Sequence, residues 1–86
     1  MIDATLVKTL EQVGFEEKEA LVFLALTELG RGSVSEVAVR SGLKRTIIYY
    51  VLERLQKKGF VQEVLGGKVK YFSATDSMRR KTQDFY

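Results

Sequence analysis

The sequence predicts a mainly α domain closed by a small β-hairpin, and three observations carry that expectation. Apolar residues recur at helical spacing in four successive stretches, each followed by a glycine. Gly66-Gly67 then separates two short runs of β-type residues. Between Ala38 and Val51 the chain reads A-x-x-x-G-L-x-x-x-x-I-x-x-V, the hydrophobic skeleton of two helices joined by a tight turn. Ala38 is small where the helices must cross closely. Gly42 falls where the chain must turn, a position at which glycine adopts a left-handed conformation cheaply. Leu43 plugs the turn, and Ile48 with Val51 faces back onto the preceding helix.

Asp3 can cap a first helix carrying Leu6, Val7, Leu10 and Val13, with Gly14 as its stop. A second helix is predicted over about Glu17 to Leu29, with Ala20, Phe23, Leu24 and Leu26 or Leu29 inward. Glu16, Glu17 and Glu19 suit its positive N-terminal end and read as solvated cap residues. Ser33-Val34-Ser35-Glu36 has the S-x-x-E spacing of a capping box, which opens a third helix over about Val34 to Ser41. A fourth runs from about Lys44 to Lys58 and is closed by Gly59. With a rotation of about 100° per residue, Val51, Leu52 and Leu55 lie within about 60° of Ile48 and form its buried stripe. Thr46, Tyr50, Glu53 and Lys57 lie opposite. Arg45 and a half-buried Tyr49 sit on one flank, and Ile47 and Arg54 on the other.

Two strands follow, Phe60 to Leu65 and Lys68 to Ser73. A two-residue turn at Gly66-Gly67 would pair Val61 with Phe72, Glu63 with Lys70 and Val64 with Val69. Thr75 or Asp76 can cap a last helix holding Met78, Arg79, Arg80 and Lys81. The order α-α-α-α-β-β-α is that of a winged helix-turn-helix with an extra N-terminal helix and a C-terminal helix. The whole of 1–86 reads as a single domain, with the helix-turn-helix at 34–58 and the wing at 60–73. The terminal helices, 3–13 and 76–86, are candidate dimer elements.

Composition narrows the function. The 86 residues are 45% hydrophobic, enough for one modest core; a domain of this size hides only about 60–65% of its unfolded surface. Cys and His are both absent. Their absence removes the usual zinc ligands, the cysteine nucleophile and the commonest general base, so neither an enzyme nor a cofactor is expected. No apolar run approaches the ~20 residues of a membrane span and no signal peptide opens the chain; the expectation is a soluble cytoplasmic protein with no membrane partner. Net charge is +3 but unevenly spread. Residues 1–36 hold three bases against seven acids, and residues 37–86 hold eleven bases against four acids. The positive pole starts inside the helix-turn-helix, which points to a polyanionic partner; because the second helix of such a motif usually lies in a DNA groove, the partner expected is double-stranded DNA.

The residues from Leu10 to Ala74 also carry a family likeness. They include L-x-x-x-G-F-x-x-x-E-A (Leu10 to Ala20), F-L-A-L-x-E-L-G (Phe23 to Gly30) and S-E-V-A-x-x-S-G-L-x-R-T (Ser35 to Thr46). I-Y-x-V-L-x-x-L-x-x-K-G-F-V (Ile48 to Val61) follows, and Tyr71 fills an aromatic position on the second wing strand. This stretch resembles the DNA-binding domain of the TrmB-type archaeal transcriptional regulators. The resemblance implies a dimeric DNA-binding repressor or activator with helix 44–58 in the major groove. Arg45, Thr46 and Tyr49 stand at the family's basic, hydroxyl and aromatic positions. Lys44 replaces a usual proline, and Ile47 and Tyr50 occupy positions more often polar. Full regulators of this type carry a C-terminal sugar-binding domain, whereas this chain stops at Tyr86; no small-molecule effector is expected for it.

The predicted DNA contacts are therefore Ser35, Lys44, Arg45, Thr46, Tyr49, Tyr50, Arg54, Lys68 and Lys70. Lys44, Lys68 and Lys70 would grip phosphates, while Arg45, Thr46 and Tyr50 would discriminate bases. A homodimer is expected through Leu6, Leu10 and Val13 at one end and Met78, Phe85 and Tyr86 at the other. The rival reading is a winged-helix module that docks protein through Ile47, Tyr49 and Tyr50 without specific DNA binding.

Overall fold

Asp3 begins the first helix by accepting a hydrogen bond from the Thr5 amide at 2.8 Å, so the local cap expected from sequence is in place. The computed structural model describes residues 3–64 and 67–75. Within them the chain forms α1 (Ala4–Gln12), α2 (Glu17–Leu29), α3 (Val34–Ser41), α4 (Arg45–Lys58), β1 (Val61–Val64) and β2 (Tyr71–Ala74). The predicted last helix, with Met78, Arg79, Arg80, Lys81, Phe85 and Tyr86, lies outside the described residues.

The core gathers around α2, which packs against α1, α3, α4 and β2. Ala20, Val22, Ala25 and Leu26 are all buried in it, while Phe23, Leu24 and Leu29 are partly covered. Val22 and Ala25 correct the sequence reading, which assigned the inward face to a single stripe. With neighbours on several sides, α2 leaves only its ends exposed, at Glu17, Lys18, Thr27 and Glu28, so no single stripe marks its buried face. On α4 the expected stripe holds: Ile48, Val51, Leu52 and Leu55 are buried. Phe15, Phe23 and Phe60 close one end of the core, their ring centroids 4.9–6.3 Å apart in tilted and edge-on arrangements, the geometry that aromatic quadrupoles favour.

The hairpin register departs from the one the glycine pair predicts. Val61 pairs with Ala74, Gln62 with Ser73, Glu63 with Phe72 and Val64 with Tyr71. β1 ends at Val64 and β2 begins at Tyr71, which places Lys68 and Lys70 outside the strands, before β2. The anchor is at the base of the hairpin. Phe72 exchanges two backbone hydrogen bonds with Gly32, at 2.9 and 2.8 Å, and the Thr75 amide donates to the Phe60 carbonyl at 2.9 Å. Phe72 is also buried. These long-range contacts outrank turn propensity, and the two-residue shift keeps the paired side chains of β1 and β2 on the faces that alternation assigns.

Candidate nucleic-acid interface

The turn of the helix-turn-helix is built as its residues require. Ser33 Oγ accepts from the Glu36 amide at 3.2 Å, and Glu36 Oε1 accepts from the Ser33 amide at 2.9 Å, completing the capping box of α3. Gly42 ends α3 in the left-handed region, φ 78°, with its amide donating to the Ala38 carbonyl at 2.9 Å. Leu43 is half-buried and packs against the core. Lys44 then caps α4 in extended conformation, with no acidic residue in the first turn of that helix. Lys44, Arg45 and Thr46 are exposed there, at the end where backbone amides and the helix dipole favour anions.

A cleft runs between this end of α4, the start of α3 and the wing. Ser35, Arg45, Tyr49, Lys68 and Lys70 line it, together with Ser33, Glu36 and Tyr71. Five of the nine predicted contact residues thus meet along one groove. Tyr49 is 57% exposed rather than half-buried; α4 stands clear of the rest of the domain on that flank, whereas Ile47 on the other flank is half-buried against the core. Arg31, counted with the acidic half of the sequence, stands over the Tyr71 ring at 5.1 Å from its centroid. It adds a cation beside the wing that no sequence signal marked.

Tyr50 and Arg54 are placed elsewhere, in a separate depression with Glu16, Glu17 and Glu19. Here the expectation of solvated cap residues is corrected: Glu19 is 1% exposed. Its carboxylate accepts from the Glu16 amide at 2.9 Å, from Arg54 Nε at 3.2 Å and from Lys58 Nζ at 3.0 and 3.1 Å. Arg54 Nη2 pairs with Glu16 at 2.9 Å, and Arg54 Nη1 donates to the Tyr50 hydroxyl at 3.0 Å. Burial pushes the Glu19 carboxyl up, but the Glu16 amide, Lys58 and Arg54 together outweigh it, and the group lies below its ordinary value. Lys57 pairs with Glu53 at 3.3 Å one turn along the helix. Among the described residues, then, Arg45 and the N-cap Lys44 are the cations along 44–58 that make no ion pair.

Among the described residues no helix is long and apolar enough to cross a membrane, and no cluster of three or more His, Cys, Asp or Glu could hold a metal ion. The helix-turn-helix and the two-stranded wing together make a winged-helix domain of the kind found in transcriptional regulators. The chain belongs to the TrmB family: the model of the sugar-specific transcriptional regulator TrmB matches residues 10–77. It is 36% identical over 66 residues to the HTH-type sugar sensing transcriptional regulator TrmBL1 of Pyrococcus furiosus, a match covering 77% of this chain and 19% of that protein. The chain therefore spans about a fifth of the length of the curated relative it matches.

Among solved structures it is similar to TrmBL2, described as an archaeal chromatin protein with a novel mode of DNA binding. The TM-score is 0.76 at 26% identity, over 94% of this chain and 33% of that one. A MarR family transcriptional regulator from Silicibacter pomeroyi superposes with a TM-score of 0.75 at 12% identity, over 94% of this chain and 56% of the other, a likeness of fold alone.

Proposed function

We propose that this protein is a sequence-specific regulator that binds double-stranded DNA as a homodimer. In this reading the N-terminal end of α4 enters the major groove and the wing lies on the backbone. The observation that carries it is the single cleft lined by Ser35, Arg45, Tyr49, Lys68 and Lys70, with Lys44, the N-cap of α4, next to Arg45 in the chain. Lys44, Lys68 and Lys70 supply phosphate contacts and register; Arg45 and Thr46, in the first turn of the helix, face the bases. Dimerisation is supported by α1 and its C-cap Val13, where Leu6 is 49% and Val13 66% exposed, although Leu10, expected at the same surface, is half-buried against the core. Sugar sensing is named for a much longer relative, and the reading concerns DNA alone.

Selection from a pool of random duplexes tests it. The reading expects enrichment of a two-fold symmetric motif with half-sites about 10 base pairs apart or a multiple of that. Recovery of unenriched sequences would favour the rival, a protein-docking module using Ile47, Tyr49 and Tyr50.

A further inference from the structure

Tyr50 is 60% exposed, yet its phenol is held at two points by one side chain. Arg54 Nη1 donates to the hydroxyl oxygen at 3.0 Å, and the guanidinium carbon lies 5.6 Å from the ring centroid, within cation–π range. Arg54 is fixed in turn, with Nε on Glu19 and Nη2 on Glu16. All three guanidinium nitrogens are engaged, and two carboxylates compensate the charge. Such a group is poorly disposed to grip a phosphate. It is well disposed to orient a neighbour, because its planar fork loses little freedom per hydrogen bond.

We propose that Tyr50 is a DNA-contacting residue that donates its hydroxyl hydrogen to an acceptor on the duplex, and that Arg54, anchored by Glu16 and Glu19, is its positioning residue. The inference rests on the DNA-binding reading above. Because Arg54 already donates to the phenol oxygen, the hydroxyl hydrogen is the group left to face a ligand. It fits a phosphate oxygen, or the N7, O6 and O4 acceptors of the major groove. It does not fit an amino group of adenine or cytosine.

The test is a double-mutant cycle of Tyr50→Phe and Arg54→Met in the full chain, read by anisotropy on a duplex pool across a salt series. Tyr50→Phe removes one neutral hydrogen bond and should weaken binding by about 3- to 10-fold. Arg54→Met should cost a similar factor with the salt slope unchanged, and the double variant should bind no worse than either single one. A loss spread evenly over all sequences assigns the acceptor to the backbone; a loss confined to duplexes with an acceptor at one position assigns it to a base. Binding by Tyr50→Phe equal to wild type would overturn the proposal, as would additive losses, or a slope reduced by about 0.9 in Arg54→Met, the mark of a direct phosphate contact. If Arg54→Met does not fold, the exposed Tyr50→Phe decides alone. A wild-type protein that binds no duplex at low salt sinks the DNA reading itself, an outcome distinct from a binding-competent wild type matched by Tyr50→Phe.

Discussion

Glu19, in the first turn of α2, accepts a hydrogen bond from Arg54 Nε at 3.2 Å across 35 positions of sequence. The contact ties the helix at the centre of the core to the middle of α4, the helix read here as the DNA-recognition element. Since Lys58 meets the same carboxylate, one buried anion holds two turns of α4 in place.

Glu19→Gln should destabilise the domain by about 1–3 kcal/mol. Breaking a buried pair costs ~3–5 kcal/mol, but both cations are more than a third exposed and recover part of that from water. The lowered carboxyl fixes the sign of the pH effect. Its stabilisation is fully present above the ordinary glutamate value of about 4.3 and is lost as pH falls through the lowered value in the folded state. Thermal melts from pH 7 to pH 2 should show a steeper acid loss in wild type than in Glu19→Gln. Parallel curves would remove Glu19 from the account.

Gly42→Ala should cost about 1–2 kcal/mol, a drop of roughly 4–16 °C in Tm for a domain of this size. Beyond Gly42 and its chain neighbours no heavy atom lies within 4 Å of the added methyl, so the penalty arises from the backbone conformation. Gly42→Asn should recover part of it, because asparagine tolerates the left-handed region better. Equal melting of Gly42→Ala and wild type would mean that the turn rearranges.

Much of this fold was legible because the governing interactions are local. Asp3, the Ser33–Glu36 box, Gly42 and the Ile48–Leu55 stripe act within a few residues, and each stands where its spacing placed it. The hairpin register was not legible, since Phe72 is fixed by Gly32, 40 positions away. Glu19 was half legible for the same reason: its place in the run with Glu16 and Glu17 marks the helix cap it forms on the Glu16 amide, but it is buried rather than solvated because its cations arrive from α4. The convergence of Ser35, Arg45, Tyr49, Lys68 and Lys70 could be expected from the motif. The diversion of Arg54 away from that cleft depends on acids that only the tertiary structure brings near.

Arg45 and Lys70 should separate by kind of effect. Lys70→Ala should weaken all duplexes alike and lower the salt slope by about 1. Arg45→Ala should cost about 1–3 kcal/mol and relax preference at one base position. Selected motifs from both variants, compared with wild type, check the pair. An unchanged motif in Arg45→Ala would make it a backbone contact.

Dimerisation should appear in sedimentation at micromolar concentration as roughly twice the monomer mass of 9.8 kDa. Deletion of residues 77–86 should abolish the dimer if the terminal segments form it together with Leu6 and Val13. A clean monomer at high concentration would contradict the homodimer.

The most direct measurement is the salt dependence of wild-type binding to random duplex DNA. With about four phosphate contacts per subunit, a dimer should show a slope of log K against log salt near −7, and lose roughly 10³- to 10⁵-fold in affinity between about 50 and 200 mM. No binding at low salt, or binding indifferent to salt, would contradict the assignment of the α4–wing cleft to DNA.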